Sequence, residues 1–347
     1  MQETGTYYDE AAVAAFMDQG PKMVDFFERE TEMKFIPTLY PDYHPDVPGG
    51  AAIGRSILAQ AYDIRGLGKD MPRLKPPLKT ITFIGMMFNS SNADLKHFFQ
   101  FTKSLTSFLY VAKRLVNHIK ELALYQRAIN VTSGNALAAR LAKSALDLGI
   151  PILTSTPAKR VLTENGQVVG MLVGGEGGDR EIRARRGVVL ACGGFPQDVQ
   201  RIAKAYPHLQ SGGEHLSPTP ETNTGDGVRM AETAGADVDL RFKDAAAWMP
   251  VSKVPYGNGE FGVFPHLLDR YKPGVIGVLR NGKRFTNESN SYHDVGVAMI
   301  EACKGQKETV MWLVCDKTTL GKYGLGFVKP APMPFGKYIR NGYLFEG

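Results

Sequence analysis

Cysteine is scarce in this sequence of 347 residues, and no two cysteines stand close together. The three that occur are Cys192, Cys303 and Cys315, and none forms a CxxC pair. A disulfide framework or a cysteine-based zinc site is therefore not expected, and a reducing cytoplasm is the expected compartment. The seven histidines are scattered without the close spacing of a metal-binding helix or knuckle, so no metal site is predicted.

Long apolar runs and targeting segments are equally lacking. The first residues, MQETGTYYDEAAV, have the pattern of neither a signal peptide nor a transit peptide. Basic residues interrupt the longest apolar stretch, residues 98–124, so no membrane-spanning segment is predicted. The net charge of +6 favours an anionic cofactor or an acidic membrane surface. No recognition motif accompanies that charge, and no nucleic-acid partner is expected.

Helical spacing of apolar residues is present in three places. It predicts helices over residues 9–29, over 94–124 as one or two amphipathic helices, and over 135–148 with Gly149 as the C-cap. Two interpretations stay open for the apolar face of residues 94–124. It packs on the core, or it rests on a membrane or admits an apolar substrate.

Irregular segments and short strands fill much of the remaining chain. A Pro/Gly-rich loop over residues 36–56 is long enough to indicate a functional role. Asn165-Gly166 predicts a hairpin, and a third strand completes a small meander before a buried strand at 187–191. A second hairpin is predicted around Asn281-Gly282, and a further buried strand at 309–314. Alternating strands and helices indicate an α/β or α+β architecture.

Two glycine-bearing motifs are the strongest functional signals. The segment GVVLACGGF places Gly193 and Gly194 at a strand end, where a side chain would block a flat or phosphorylated ligand; a tight structural turn is the alternative. In NTGDGVRMAETAGA, Gly225 and Gly227 open a helix with Asp226 at its positive end. That arrangement suits an anionic or hydroxyl-rich ligand, although Asp226 could equally cap the helix.

With IGVLRNGKRFTNES added, the order of these motifs resembles the flavoprotein superfamily of fumarate reductases, succinate dehydrogenases and 3-ketosteroid dehydrogenases. The resemblance covers nearly the whole chain and implies FAD as cofactor. It also implies an α/β (α+β) fold, in which a Rossmann-like FAD-binding domain with an inserted β-meander, residues 1–241, precedes a smaller α+β cap domain, residues 242–347. Within the superfamily the chain is most similar to the 3-ketosteroid 1-dehydrogenases, through YPDYHPDVPGGAAIGRS, TFIGMMFNSSNADLKHFF, TSGNALAARL and GKRFTNESNSYHD.

The resemblance also implies roles for individual residues. Tyr292 matches the catalytic tyrosine that removes a proton beside the ketone, and Tyr43, with Tyr40 as the alternate, matches a second active-site tyrosine. The expected substrate is a small apolar, steroid-like ketone, with an external electron acceptor. Four further positions match residues that contact FAD in the family: Ala158, Ala191, Gly193 and Asp226.

Two alternative functions stay open. The first is a fumarate-type reduction of an unsaturated acid, which is disfavoured because NSYHD stands where dicarboxylate enzymes carry an arginine before an aspartate. The second is a non-catalytic fragment that binds a partner or a membrane through residues 94–124. A strand–GxGxxG–helix unit and the family's C-terminal closing segment are missing from the sequence given. We therefore expect an internal fragment with weak or no FAD binding of its own, whose function is that of its parent protein.

Overall fold

The computed structural model describes residues 7–88, 92–239 and 244–347, and the chain packs as two compact units that divide after Ile152. The predicted domain boundary at Arg241 lies outside the described residues. So do residues 89–91 of the segment TFIGMMFNSSNADLKHFF. The division into an FAD-binding domain and a cap domain therefore stays a prediction.

The N-terminal unit, up to Ile152, combines long helices with short antiparallel strand pairs. All the helices predicted in this unit are present, and the segment predicted as one or two helices is two. The elements run in the order α1 (Glu10–Glu30), β1 (Phe35–Pro37), β2 (Ile57–Ala59), β3 (Tyr62–Asp63), α2 (Asn92–Gln100), α3 (Leu105–Tyr125), β4 (Asn130–Val131) and α4 (Ser133–Asp147). Asp9 caps α1 by accepting a hydrogen bond from the Ala12 amide, 3.0 Å away.

The core of this unit forms where α4 packs against the short strands. Met33, Ile64 and Val131 are among its fully buried side chains. Arg140 of α4 is also buried, and its guanidinium donates to the carbonyls of Glu32, Gln60 and Ala61. A buried guanidinium needs such acceptors, because leaving its N–H groups unpaired would cost several kcal/mol, on the order of 1 to 3 for each group.

The pairing of β1 with β2 closes the base of the Pro/Gly-rich loop. Pro37 lies opposite Ile57, and the Thr38 amide donates to the Ser56 carbonyl over 2.9 Å. Inside the loop the Asp42 amide donates to the Ala51 carbonyl, and the Asp42 carboxylate accepts from the Ala51 amide. The loop that carries Tyr43 is thus ordered, and β1 and β2 pair at its base.

The helix α3 buries polar and apolar side chains together. Ser107, Val111 and His118 are buried, whereas Leu105, Phe108 and Ile119 are 74%, 52% and 64% exposed. One polar contact on the inward side joins His118 Nε2 to the Ile84 carbonyl oxygen over 2.8 Å. The interpretation that the apolar face of residues 94–124 packs on the core is therefore wrong for these three exposed side chains. Within the described residues, no helix is long and apolar enough to cross a membrane.

The C-terminal unit, Leu153–Gly347, opens with the predicted meander. Asn165 and Gly166 both have positive φ, as a tight two-residue hairpin turn requires, and β5 pairs antiparallel with β6 and β6 with β7. The mixed α/β fold expected from the sequence is confirmed. The elements are β5 (Ala158–Glu164), β6 (Gln167–Val173), β7 (Arg180–Arg183), α5 (Val199–Ala205), α6 (Pro207–Gln210), α7 (Asp226–Thr233), β8 (Val251–Pro255), β9 (Phe261–Pro265), β10 (Ile276–Val278), α8 (Tyr292–Ala302), β11 (Trp312–Val314), α9 (Lys317–Tyr323) and α10 (Gly336–Arg340).

Two segments that were predicted to be buried strands differ from that prediction in the structure. Residues 187–191 form no strand, and Val189 is 89% exposed. A central strand is buried only when strands pair with both of its edges, and no described strand pairs with this segment. The second prediction, at 309–314, is right about the strand, since β11 pairs with β10, but its Trp312 and Val314 are exposed.

Candidate functional site

The two glycine-bearing motifs lie in direct contact within the C-terminal unit. A Cβ atom at Gly225 would lie 2.9 Å from Phe195 Cβ, and one at Gly193 would lie 3.1 Å from Asn223 Nδ2. Both glycines also have positive φ, 74° and 79°, a conformation that side-chain-bearing residues rarely adopt. The glycines are therefore required by close packing and by backbone geometry together, and they place both motifs at one location.

The start of α7 faces the first strand of the meander. Asp226 opens the helix after Gly225, and its carboxylate accepts from the Thr224 hydroxyl at 3.3 Å. A cavity of about 310 Å³ lies between this turn and β5, and both Asp226 and Ala158 line it. Three cationic side chains line it as well: Lys159, Arg160 and Arg229. Lys159 and Arg229 are paired with Asp179 and Asp198, 2.5 and 2.8 Å away, so Arg160 and the start of α7 are the groups that suit an anionic ligand such as a nucleotide.

A second, larger cavity of about 970 Å³ begins at the glycine motifs. Gly194 and Asn223 form one edge of it, and Trp248 and α8 contribute another. Such a volume is at the upper end of the range typical of small-molecule sites, about 300 to 1,000 Å³. Apolar side chains and a few polar groups share the lining, as in most organic-ligand pockets.

Tyr292 is the first residue of α8, whose N-cap is Ser291. Gly296, Met299 and Ile300 of the same helix line the larger cavity. These residues follow Tyr292 by four, seven and eight positions, and positions at this spacing share one face of a helix. Tyr292 therefore lies on the face of α8 that borders the cavity, one turn before the lining begins.

Contacts with Trp248 fix the start of α8. The Trp248 amide donates to His293 Nδ1 over 3.1 Å, and a Cβ at Gly296 would lie 2.6 Å from Trp248 Cβ. The helix can approach Trp248 this closely only because position 296 is glycine. The predicted catalytic tyrosine is thus carried by a helix held firmly against the cavity wall.

Two other predicted residues lie apart from this arrangement. Tyr43 belongs to the N-terminal unit, where it is 52% exposed, and its relation to Tyr292 stays a prediction. Tyr40, the alternate, is half-buried, and burial raises its pKa. Ala191 is exposed in the irregular segment before Cys192, and it lines neither cavity. Its role as a cofactor contact also stays a prediction.

An aromatic and histidine cluster in the larger cavity was not predicted. Trp248 packs edge-on against Tyr206 and His208, with ring centroids 4.9 and 5.4 Å away, and His215 lies 5.0 Å from Tyr206. Burial lowers the pKa of His208 to about 4, with a smaller effect from His215, and burial also lowers the pKa of His215. The local sequence feature that could have indicated this cluster is the Gly212-Gly213 turn, which brings the chain back from His208 to His215.

The segment before α8 is anchored by a buried carboxylate. Glu288 accepts from the Gly277 amide at 2.8 Å and from Arg284 Nε at 2.9 Å, and Arg284 Nη2 contacts its second oxygen. The Arg284 hydrogen bond lowers the pKa of Glu288 to about 2, against the opposing effect of burial. This pair holds the turn around Asn281-Gly282 to β10. No group of three or more potential metal ligands occurs among the described residues.

The family described as "FAD binding domain" matches residues 1–333, nearly the whole chain. This match includes both glycine motifs and α8, the elements that surround the two cavities.

Individual relatives agree with that match. The chain is 38% identical over 342 residues to a 4-oxocyclohex-2-ene-1-carboxylate 5-dehydrogenase of Sinomonas cyclohexanicum, covering 98% of the chain and 58% of the relative. It is 30% identical over 358 residues to a 3-oxosteroid 1-dehydrogenase of Mycobacterium tuberculosis, with coverages of 99% and 60%. The chain thus spans about 60% of the length of these relatives.

A solved structure has the same fold over most of the chain. It is the 3-ketosteroid delta1-dehydrogenase from Sterolibacterium denitrificans in complex with 1,4-androstadiene-3,17-dione, with a TM-score of 0.80 and 27% sequence identity. The similarity covers 96% of this chain and 60% of that one.

Proposed function

The chain belongs to the FAD binding domain family, and from that premise we propose that the protein is an FAD-dependent dehydrogenase of cyclic ketones. It removes two hydrogens from a CH–CH bond next to the ketone of an apolar ring. The dehydrogenase relatives with cyclic ketones or steroids in their names support this reaction class. FAD is the cofactor of the family, and the described residues fit it, since Arg160 and Asp226 at the start of α7 line one cleft.

One observation carries the proposal: a single cavity joins the glycine motifs to the helix of the candidate base. Gly194 and Asn223 lie at one edge of this cavity, and the face of α8 that begins with Tyr292 lies at another. A substrate in the cavity would be next to both the cofactor-binding motifs and the tyrosine. Proximity of this kind is the first requirement for a proton transfer coupled to a redox step.

The roles of the residues follow from this placement. Tyr292 takes the proton from the carbon beside the ketone, and Tyr43 is the second proposed active-site tyrosine. Ala158, Ala191, Gly193 and Asp226 hold the cofactor. When bound, FAD supplies the oxidising power by accepting the hydride that leaves the adjacent carbon. One proton and one hydride account for both hydrogens, and an external acceptor takes the electrons away afterwards.

Turnover with matched substrates tests the proposal. The protein, expressed from its natural gene and supplied with FAD, is given a 3-ketosteroid with an artificial electron acceptor, and separately the cyclohexenone carboxylate named for the Sinomonas relative. We expect dye reduction and a new ring double bond with at least one of these ketones. Reduction of fumarate by a reduced dye, without ketone oxidation, would instead support a reductase and contradict the proposal.

We also propose that the exposed side of α3 rests on an acidic membrane surface. Leu105, Phe108 and Ile119 provide apolar contact area, and the exposed Lys113 and Lys120 lie on the same helix. An amphipathic helix with this composition lies in the interface of an anionic bilayer. At the cytoplasmic face of a membrane, the external electron acceptor could reach the protein from the lipid.

Vesicle binding tests the membrane contact. Phe108→Glu and Ile119→Glu each remove an apolar side chain whose full burial contributes about 1.5 to 3 kcal/mol of binding free energy. We therefore expect each to cause at least a tenfold loss of binding to phosphatidylglycerol vesicles. The matched control is Leu148→Glu, at a position 70% exposed at the end of α4. Equal effects of all three substitutions, or equal binding to neutral phosphatidylcholine vesicles, would contradict the contact.

A further inference from the structure

Tyr292 stands between two points at which the chain is held by other segments. Before it, the Asn290 carbonyl accepts a hydrogen bond from the guanidinium of Arg270, a side chain that is only 2% exposed. After it, His293 contacts Trp248, which is 5% exposed and lines the larger cavity. Anchors on both sides of one residue fix its backbone, and they therefore determine where its side chain can reach.

The contact of His293 defines which of its ring nitrogens carries a proton. The Trp248 amide donates to His293 Nδ1 over 3.1 Å, and a backbone amide can only donate. Nδ1 is therefore unprotonated, which leaves the ring proton on Nε2. His293 thus acts as an acceptor through Nδ1, and in this arrangement that nitrogen is not free to take a proton from a substrate.

Trp248 provides a rigid reference for this contact. Its indole Nε1 donates to Asp244 Oδ1 over 2.8 Å, and its ring packs edge-on against Tyr206 at a centroid distance of 4.9 Å. One turn further along α8, a Cβ atom at Gly296 would lie 2.6 Å from Trp248 Cβ. Positions 293 and 296 share one face of the helix. Because α8 meets Trp248 at both positions, its first turn cannot slide or rotate without losing one of the two contacts.

We propose that His293 is the positioning residue of Tyr292, because its hydrogen bond with the Trp248 amide sets where the tyrosine stands at the larger cavity. The inference deepens the proposed function and rests on it for the role of Tyr292 as the base. Neighbouring residues point about 100° apart around a helix axis, so His293 can face Trp248 while Tyr292 faces the cavity. A misplacement of about 1 Å can cost about 10²-fold in rate, so this contact should affect kcat.

Two substitutions of His293, made in the protein expressed from its natural gene and supplied with FAD, test the role. His293→Phe keeps a flat ring but removes the acceptor, and it should lower kcat about tenfold while the ketone KM changes by less than about twofold. His293→Asn places a side-chain oxygen near the position of Nδ1, so it should keep kcat within about twofold of the wild type. A wild-type kcat in His293→Phe, or an equally low kcat in both variants, would overturn the inference.

A matched control separates positioning from a general loss of stability. Cys303 is the C-cap of α8 and is 2% exposed, so Cys303→Ala removes a buried sulfur at the end of the helix away from Tyr292. We expect this variant to have a lower Tm and a normal kcat. If Cys303→Ala and His293→Phe lower kcat in proportion to their loss of Tm, the stability of α8 limits turnover and the inference is wrong.

A spectroscopic measurement separates this inference from its premise. The ¹⁵N NMR signals of the His293 ring, assigned by their loss in His293→Asn, should show an unprotonated Nδ1 and a protonated Nε2. A proton on Nδ1 would overturn the inference whatever the turnover. A wild-type protein with the expected tautomer that oxidises no ketone would instead contradict the proposed function, and the role of His293 in it would fail with that premise.

Discussion

Replacing Tyr292 with phenylalanine should lower kcat by a factor of about 10² to 10⁴, the usual contribution of a positioned acid–base group. The change removes one oxygen atom and leaves the ring, so α8 and its contacts with Trp248 should persist. Binding of FAD, measured by its visible absorbance, should stay the same. The ketone Kd should also change little, because Tyr292 is placed at the reacting carbon.

The control is Tyr256→Phe, which removes the same atom from a tyrosine in the turn between β8 and β9. We expect normal turnover in that variant. A second measurement separates chemistry from positioning: the wild type in D₂O should exchange the hydrogen beside the ketone, and Tyr292→Phe should lose this exchange in proportion to kcat. Unchanged kcat in Tyr292→Phe would remove this residue from the mechanism.

Glu288 should contribute a large electrostatic effect on stability. Its carboxylate is buried, yet its pKa is lowered from 4.5 to about 2 by Arg284 and by the Gly277 amide. Because the folded-state pKa is the lower one, the stabilisation is fully present above about pH 4.5 and is lost as the pH falls towards 2. A pKa difference of about 2.5 corresponds to about 3 kcal/mol in the free energy of unfolding, at about 1.4 kcal/mol for each pKa unit.

Glu288→Gln should therefore lower the free energy of unfolding at pH 7 by about 2 kcal/mol, since glutamine keeps an acceptor for the Gly277 amide but loses the charge. The matched control is Glu308→Gln, which breaks an exposed ion pair with Arg280 and should cost under about 1 kcal/mol. Urea unfolding at pH 7 and pH 3 measures both. If Glu288→Gln loses as much stability between these pH values as the wild type, the linkage assigned to Glu288 is wrong.

Sequence reasoning was most successful where a structure depends on neighbouring residues. Asn165-Gly166 predicted its hairpin because positive φ at two successive positions is a local requirement. Gly225 and Asp226 likewise predicted the start of a helix from neighbouring residues. The contact of this helix with the first glycine motif is what the proposed nucleotide-binding cleft requires. The resemblance that the order of such local motifs bears to a flavoprotein family implied FAD as cofactor, and the family match confirms both.

Features set by distant parts of the chain could not be predicted in the same way. The apolar residues 187–191 have the composition of a buried strand, but burial requires paired neighbours that no local pattern encodes. In α3 the buried residues are Ser107, Val111 and His118, and the contact of His118 with the Ile84 carbonyl comes from a distant segment that the local apolar pattern does not encode. His208 and Trp248 lie far apart in sequence and form one cluster through tertiary packing alone.

The contact between Gly225 and Phe195 has a consequence for how this protein can change over evolutionary time. With 2.9 Å between Phe195 Cβ and the place where a Cβ would stand on residue 225, a side chain at either position limits what the other tolerates. The positive φ of Gly225 adds an independent penalty for any replacement. Glycine should consequently be retained at position 225 whichever residue with a Cβ atom stands at position 195.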